Sequence, residues 1–437
     1  MHYARLMLAG LLAGSAVLSA PALAQQVPAA QPGESAEDAK LKALFHASDE
    51  AMLKRQPLMA IFRGDLRYAD RLGNYYTDAY TAAEKAATEK DLAALKRIDR
   101  TKLSAVSKIA YDVFKVDQER SLKGFAPAIM GVSKYLPMDH FTGFQTFYPD
   151  FASGQGAAPF KSVADYDNNL KRNVEYAATY DRVIGLFREG MKRKIVQPKL
   201  VVRNMIGQFD KLIAQGVEES VFYAPVKKFP EGVSEADQTR LRAAYAAQIR
   251  DVIIPAHKKM RDFLANEYLP AARDSVGTSA LPGGAAVYNY AIESNTTLPL
   301  TADYVHNLGL SEVKRILNEM EAQKKAVGFT GTLPEFFTFL RTDTRFQPKS
   351  AEALREGYEA IGKRVDLRVR EQFSLIPKTP LEIRPVPDYR AEGDAAGSYV
   401  QGTPDGSRPG VFFYNTHDQP VPRPGRKSIS TGSPWRQ

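Results

Sequence analysis

The sequence predicts a mainly α-helical protein, in which a multi-helix body is followed by a small antiparallel β-sheet near the C-terminus. Apolar residues recur at helical spacing over most of the chain between residues 38 and 373. Three short β-prone runs follow, Leu381–Val386, Gly397–Gln401 and Gly410–Asn415, separated by turn-forming residues. Hydrophobic residues make up 44% of the 437 residues and charged residues 25%, a composition typical of chains that bury a core.

Several segments carry apolar residues three and four positions apart, the spacing of a helix with one buried face. The longest segment runs from Glu235 to about Arg273, and we expect Pro255 to kink it or to split it in two. The predicted core faces include Leu41, Leu44, Phe45 and Met52; Leu103, Val106, Ala110, Val113 and Phe114; Val202, Met205, Ile206, Phe209 and Ile213; and Leu241, Tyr245, Ile249, Val252, Ile253, Met260, Phe263 and Leu264.

A helix-turn-helix joint is expected after residue 300. Thr301 is a good N-cap for a helix that Gly309 should end, and Ser311 can cap the next helix. That second helix should direct a face of four apolar residues toward the core, namely Val313, Ile316, Leu317 and Met320.

Residues 1–24 have the pattern of a cleavable secretory signal peptide. Arg5 precedes an apolar run from Leu6 to Leu18 that is too short to span a bilayer, and a small-x-small cleavage site ends at Ala24. The alternative is an N-terminal anchor that stays in place. We expect cleavage, a disordered leader over residues 25–37, and a periplasmic or secreted protein without a further membrane span.

Composition argues against several kinds of site. The chain has no cysteine, which excludes a lipidated cysteine, a disulfide framework and a thiolate metal site. The net charge of +9 is modest for this length and forms no basic stripe, so nucleic acid is not an expected partner. No histidine has a second histidine three to five residues away, so a zinc site would have to be assembled from distant residues.

No catalytic constellation can be identified from the residues alone. A G-x-S-x-G nucleophile elbow does not occur. Ser311 and Lys314 match the short S-x-x-K pattern of serine acyl-enzymes, but Ser311 is already expected to cap a helix. A serine acyl-transferring enzyme is therefore kept only as a contrasting hypothesis.

Several segments, taken in order, resemble the bacterial domain-of-unknown-function 885 family, which comprises exported or lipid-anchored proteins related to helical zinc peptidases. The resemblance extends from about residue 40 to residue 418. The segments that carry it are Leu281-Pro282-Gly283-Gly284 with Tyr288 and Tyr290, Leu308 to Ile316 with Glu319-Met320, Gly328 to Thr332, Phe336 to Phe346, and Asp405 to Phe412.

The resemblance implies a zinc-binding helix soon after Asn415-Thr416, with a His-Glu-x-x-x-x-His-His type motif that supplies zinc ligands and a glutamate general base. The strand before it would be an edge strand that holds extended peptide by adding it to the sheet. In this sequence the motif is absent, since no histidine follows His417 and no glutamate follows Glu392.

On the same resemblance, Gly410, Phe412 and Asn415 belong to the substrate-side strand, and Tyr399 belongs to the strand next to it. The alternative is that the strand residues simply pack and that Gly410 makes a turn. We assign these four residues to substrate binding, and we assign no catalytic residue, no metal ligand and no cofactor to this chain.

The resulting functional hypothesis is a truncated, catalytically inactive relative of periplasmic zinc-metallopeptidase-like proteins. Its alternative is a non-catalytic periplasmic helical scaffold that binds peptides or proteins. Extended peptides are the expected partners under both. Residues 38–418 form the family-like region, with the sheet from about residue 380. Residues 419–437 read as an unstructured tail, which we interpret as out-of-frame, with a natural disordered terminus as the alternative.

Overall fold

The structure is a computed structural model of the 437-residue chain. It describes residues 35–377, 379–386, 391, 395–403 and 406–416. The contacts divide the chain into two compact units, Met1–Val305 and His306–Gln437. The predicted signal peptide, most of the predicted leader and the predicted tail lie outside the described residues. Ser35 caps the first helix through a reciprocal capping box with Asp38.

The described part of the first unit is helical, which confirms the predicted fold class. Two π-helical segments interrupt its longest helical stretch, Ile249–Ile253 and Leu264–Tyr268. The α-helices are α1 (Ala36–Arg55), α2 (Pro57–Phe62), α3 (Asp78–Leu95), α4 (Ala105–Gly124), α5 (Pro127–Ser133), α6 (Phe144–Phe151), α7 (Val163–Lys192), α8 (Lys199–Ala214), α9 (Ala224–Lys227), α10 (Glu235–Gln248), α11 (Ile254–Phe263), α12 (Leu269–Ala271) and α13 (Gly284–Thr296).

The main core of this unit forms around α7. Tyr176, Tyr180, Val183 and Phe187 follow one another at helical spacing, and all four are buried. They join a cluster with α8 and with the stretch from α10 to α12, where the predicted faces are buried as expected: Val202, Met205, Phe209, Ile249, Ile253, Met260, Phe263 and Leu264. Burial of each such side chain contributes roughly 1.5–3 kcal/mol, so this cluster dominates the stability of the unit.

We expected Pro255 to kink the helical stretch or to split it in two; the helical backbone continues through this residue, so the stretch is not split. The π segment Ile249–Ile253 ends two residues before it, and the amide of Ile254 donates to the carbonyl of Ile249 instead of to the residue four positions back. Pro270 follows the second π segment, Leu264–Tyr268, in the same way. A proline lacks an N–H and its ring collides with the carbonyl four residues earlier, and a wider turn relieves both problems.

The face predicted on α4 is only partly buried. Phe114 packs on Phe45 of α1 with ring centroids 5.0 Å apart, but Val106 and Val113 are exposed. The part of α4 that packs against α1 and α3 is therefore narrower than its apolar pattern predicted.

The second unit contains three α-helices and, at its C-terminal side, a small sheet within the described residues. The helices are α14 (Ala302–Ala326), which begins just before the unit boundary, α15 (Leu333–Thr342) and α16 (Ala351–Gln372). The strands are β1 (Leu381–Pro385), β2 (Gly397–Val400) and β3 (Gly410–Tyr414).

The helix-turn-helix joint predicted after residue 300 is wrong. Thr301 does accept a hydrogen bond from the Tyr304 amide, as an N-cap should, but α14 then runs without a break through Gly309 and Ser311. A glycine inside a helix costs only about 1 kcal/mol relative to alanine. The Ser311 hydroxyl donates to the Leu308 carbonyl at 2.7 Å, so this serine caps nothing.

The four apolar residues expected to face the core from the second helix are exposed on α14. Val313, Ile316, Leu317 and Met320 retain 56%, 39%, 44% and 38% of their accessible surface. The periodicity correctly predicted an amphipathic helix. The prediction that its apolar side is buried within the described chain was wrong.

The sheet is mixed rather than antiparallel. Its strand order is β1-β3-β2, with β2 antiparallel and β1 parallel to β3. The chain passes from β1 to β2 without pairing the two, and β3 then returns between them. The chain reverses its direction between β1 and β2 and again between β2 and β3, so β3 runs in the same direction as β1.

Candidate functional site

The candidate site is the C-terminal sheet, where the four residues assigned to substrate binding are found. Strand residues alternate between two faces. On one face, Phe412 and Tyr414 of β3 lie against Tyr358 of α16, with ring centroids 5.7 and 4.8 Å apart. On the other face, Val411 and Phe413 pack with Val386, Ala391 and Val400. The helix therefore holds β3 in place from one side and a small apolar cluster holds it from the other.

Gly410 lies directly beneath the ring of Tyr399. A Cβ atom placed on Gly410 would be 3.1 Å from ring carbons of Tyr399, which is closer than carbon atoms normally pack. A side chain at position 410 would therefore displace the Tyr399 ring; a turn does not call for this glycine, since its φ is not positive. Tyr399 in turn keeps 60% of its surface exposed, so its outer side is available to a ligand.

Phe412 and Asn415 are engaged within the sheet. Phe412 is half-buried between Tyr358 and the backbone of Gly397. The Asn415 side chain donates to the carbonyl of Ala391 at 2.7 Å, and its backbone amide donates to the carbonyl of Ala396 at 2.9 Å. These contacts fix the end of β3 and position β2, a supporting role for both residues.

The strand expected to lie at the edge of the sheet lies in the middle. β3 has β1 on one side and β2 on the other, so its backbone groups are already paired and the prediction of an edge strand there was wrong. The sheet edges available within the described residues belong to β1 and β2. Peptide addition to this sheet therefore has to use one of those two strands.

The outer edge of β2 presents an uninterrupted set of backbone groups. In an antiparallel ladder, hydrogen-bonded and non-hydrogen-bonded pairs alternate. The Asn415 amide bonds to Ala396, and the register then turns Ser398 and Val400 toward β3, while the N–H and C=O groups of Gly397 and Tyr399 point outward. No described strand pairs with that side of β2.

The outer edge of β1 is a poorer template. The Val386 amide donates to the Tyr414 carbonyl and the Gly410 amide donates to the Pro380 carbonyl, so the even-numbered residues of β1 face β3. Of the outward-facing residues, Pro385 lacks an N–H and cannot donate to an added strand. Edge prolines of this kind commonly block strand addition.

The electrostatic character of the two edges also differs. On β1, Glu382 and Arg384 form an ion pair; the hydrogen bond from Arg384 lowers the pKa of the Glu382 carboxyl, and the bond to Glu382 raises the pKa of Arg384. Residues 395–403, which include β2, contain no charged side chain. The β2 edge is therefore suited to an uncharged extended segment.

Within the described parts of the chain, no three His, Asp or Glu side chains come together as ligands for a metal ion. His257 is buried in the first unit, where its Nε2 lies 2.9 Å from the Tyr176 hydroxyl. Burial lowers the pKa of His257 to about 3. This histidine is a neutral member of the polar core. Ser311 and Lys314 lie on the exposed surface of α14, where the Ser311 hydroxyl donates to the Leu308 carbonyl.

Sequence reasoning identified the sheet and Tyr399 but not the free edge. The edge depends on strand order, and the sequence carried only indirect indications of it: the charge-free run around β2 and the proline at position 385.

No helix within the described ranges combines the length and hydropathy needed to cross a bilayer.

The chain is similar to proteins of known structure but not to functionally curated ones. No curated protein matches it. Among solved structures, it is similar to one described as "the putative lipoprotein from Colwellia psychrerythraea", at 19% identity and a TM-score of 0.75, with 88% of this chain and 68% of that chain covered. At this identity the likeness shows a shared fold. Residues 57–429 match the family of bacterial proteins of unknown function DUF885. The match spans most of the chain, which therefore belongs to the DUF885 family.

Proposed function

We propose that this protein binds extended peptides by adding them as a fourth strand to the outer edge of β2, and that it does so without hydrolysing them. The observation that carries the proposal is the backbone edge at Gly397 and Tyr399, with which no described strand pairs, next to a tyrosine ring with 60% of its surface exposed. Strand addition is a recurrent mode of peptide recognition, in which main-chain hydrogen bonds supply affinity.

The edge sets the properties of the ligand. Gly397 and Tyr399 offer two N–H and two C=O groups, and each backbone hydrogen bond contributes about 0.5–1.5 kcal/mol net. Association itself costs several kcal/mol, so a peptide that uses these bonds and the Tyr399 ring should bind weakly, with a Kd on the order of 0.1 mM. The preferred peptide is uncharged, with an apolar side chain placed against Tyr399.

A pair of substitutions at one position tests the mode of binding. Tyr399→Ala removes the ring but keeps the outward N–H, whereas Tyr399→Pro removes both. Binding of fluorescein-labelled, uncharged decapeptides, measured by fluorescence polarisation, should weaken about fivefold to tenfold in the alanine variant and vanish in the proline variant. The control is Leu381→Pro, which places a proline at an outward position of β1 and should leave binding unchanged.

Two results would refute strand addition at β2: equal binding by the two Tyr399 variants, or loss of binding in Leu381→Pro. Circular dichroism melts of all three variants establish that the sheet persists. Wild-type protein that binds no member of the decapeptide pool would also refute the proposal.

The proposal that peptides are bound without hydrolysis has a test of its own. Within the described residues no three potential metal ligands come together. Incubation of the bound peptides with the protein and added zinc, followed by mass spectrometry, should return intact peptides. Cleavage that a chelator abolishes would replace a binding function with a metallopeptidase function.

We also propose that the protein acts outside the cytoplasm. Support comes from the N-terminal pattern of Arg5, the apolar run and Ala24, and from the similar solved structure described as a "putative lipoprotein". Fractionation of cells that produce the full-length chain should recover it in the periplasmic fraction. Recovery with the cytoplasmic proteins would contradict this location.

A further inference from the structure

The apolar stripe of α14 is a second surface without a partner in the described chain. We define it by Val313, Ile316, Leu317 and Met320, which follow the i, i+3, i+4, i+7 pattern of a helix contact face. All four are exposed. Helices in water obtain most of their stability from packing of such a face, so an uncovered stripe on a helix of 25 residues indicates a missing contact.

The opposite side of α14 is already satisfied. Arg315 bonds Glu312 and Glu319, both at 2.7 Å, and this network occupies the polar face. These ion pairs lie within the helix and are exposed, so they contribute little to docking another chain. Any partner of α14 is therefore expected at the stripe.

Two opposite charges lie on one flank of the stripe, at Lys314 and Glu321. They are seven residues apart, which places them on the same side of the helix two turns from each other. Lys314 has no ion-pair partner among the described residues, and Glu321 contacts only Lys324, at 2.7 Å. The flank is thus positively charged at its N-terminal end, at Lys314, and negatively charged at its C-terminal end, at Glu321.

This flank is self-complementary about a two-fold axis. When two copies of α14 pack antiparallel, equal flanks face each other, and Lys314 of one copy approaches Glu321 of the other, twice. The same arrangement places Leu317 of one copy next to Leu317 of the other, close to the axis, and Ile316 next to Met320. Apolar contacts and charge pairs are therefore satisfied by a single register.

We propose that the stripe is the interface between two copies of this chain, which associate through antiparallel packing of α14 on α14. A second copy is favoured over an unrelated partner because one sequence supplies both halves of the charge pattern. The stripe spans about 11 Å of helix, which is less than a standard interface needs for tight binding. The dimer should accordingly be reversible, with a Kd in the range of about 1–100 µM.

Sedimentation equilibrium of the full chain over about 1–200 µM should show a monomer–dimer equilibrium. Leu317→Glu should abolish the dimer, because it buries two like charges at the centre of the contact. The matched control is Leu367→Glu on α16. Leu367 is equally apolar, is 80% exposed and lies outside the stripe, so this variant should dimerise as the wild type does.

Charge reversal tests the antiparallel register. Lys314→Glu and Glu321→Lys should each weaken the dimer about tenfold, since each creates two like-charge contacts, and the double variant should restore it. A double variant that stays monomeric would overturn this register. A wild-type chain that remains monomeric at every concentration would overturn the dimer, and one that instead floats with phosphatidylglycerol vesicles would assign the stripe to a lipid surface.

Discussion

Replacement of His257 by glutamine should remove a large part of the acid sensitivity of the first unit. His257 is 1% exposed, and burial lowers its pKa from 6.5 to about 3. Between these values the unfolded chain binds a proton that the folded chain excludes. The contribution of His257 to stability is therefore complete above about pH 6.5 and is lost as the pH falls toward 3.

The magnitude follows from the width of that window. One pKa unit corresponds to about 1.4 kcal/mol, so a fall from pH 6.5 to pH 4 should lower the free energy of unfolding by about 3 kcal/mol through His257 alone. The hydroxyl of Tyr180 donates to that of Tyr176, which leaves the Tyr176 hydrogen for Nε2 of the histidine. A glutamine carbonyl at position 257 can accept the same hydrogen bond and does not titrate.

Urea unfolding followed by circular dichroism at several pH values between 4 and 7.5 measures the difference. Carboxyl groups with lowered pKa, such as Asp38 with its hydrogen bond from Ser107, destabilise both proteins at low pH and cancel in the comparison. The wild type should lose about 3 kcal/mol more than His257→Gln. Parallel stability curves would refute the interpretation of His257 as a buried neutral residue.

Three further predictions concern other parts of the chain. Gly410→Ala should destabilise the sheet by about 1–3 kcal/mol and displace the Tyr399 ring, detectable as faster proteolysis after Phe373, whereas Gly309→Ala, with open space around its Cβ position, should not destabilise the protein. Arg172→Ala should cost about 3 kcal/mol or more, because Arg172 is 1% exposed and donates to the Ala69 carbonyl and to Asn169; a thermal melt within 2 °C or so of the wild type would contradict this. Mass spectrometry of the exported protein should find Gln25 at the N-terminus, and an intact Met1-to-Ala24 segment would count against cleavage.

The sequence predicted helices and their apolar sides well, but not what covers those sides. The pattern at Val202, Met205 and Phe209 and the pattern at Val313, Ile316 and Met320 have the same spacing, yet the first is buried and the second is exposed. Periodicity records that a helix has an apolar side. Burial depends on contacts between distant segments or between chains, which spacing does not report.

The sheet shows a similar limit. Its three strands were predicted close to where they lie, because β-prone runs and turn residues are local features. Their order was not predictable, because it depends on where the chain returns after β2. For the candidate site the order is decisive, since it moves the available backbone edge from Gly410 to Tyr399.

The two π segments have an evolutionary consequence. A π turn holds one more residue than the α turn it replaces while the helix on either side keeps its direction, so each segment has the form of a single-residue insertion within an α-helix. At both places a proline follows, at positions 255 and 270, and it would collide with an unexpanded turn. Insertion and proline should therefore be inherited together: relatives without a proline at one of these positions should be one residue shorter there, and they should keep His257 or its equivalent in the core.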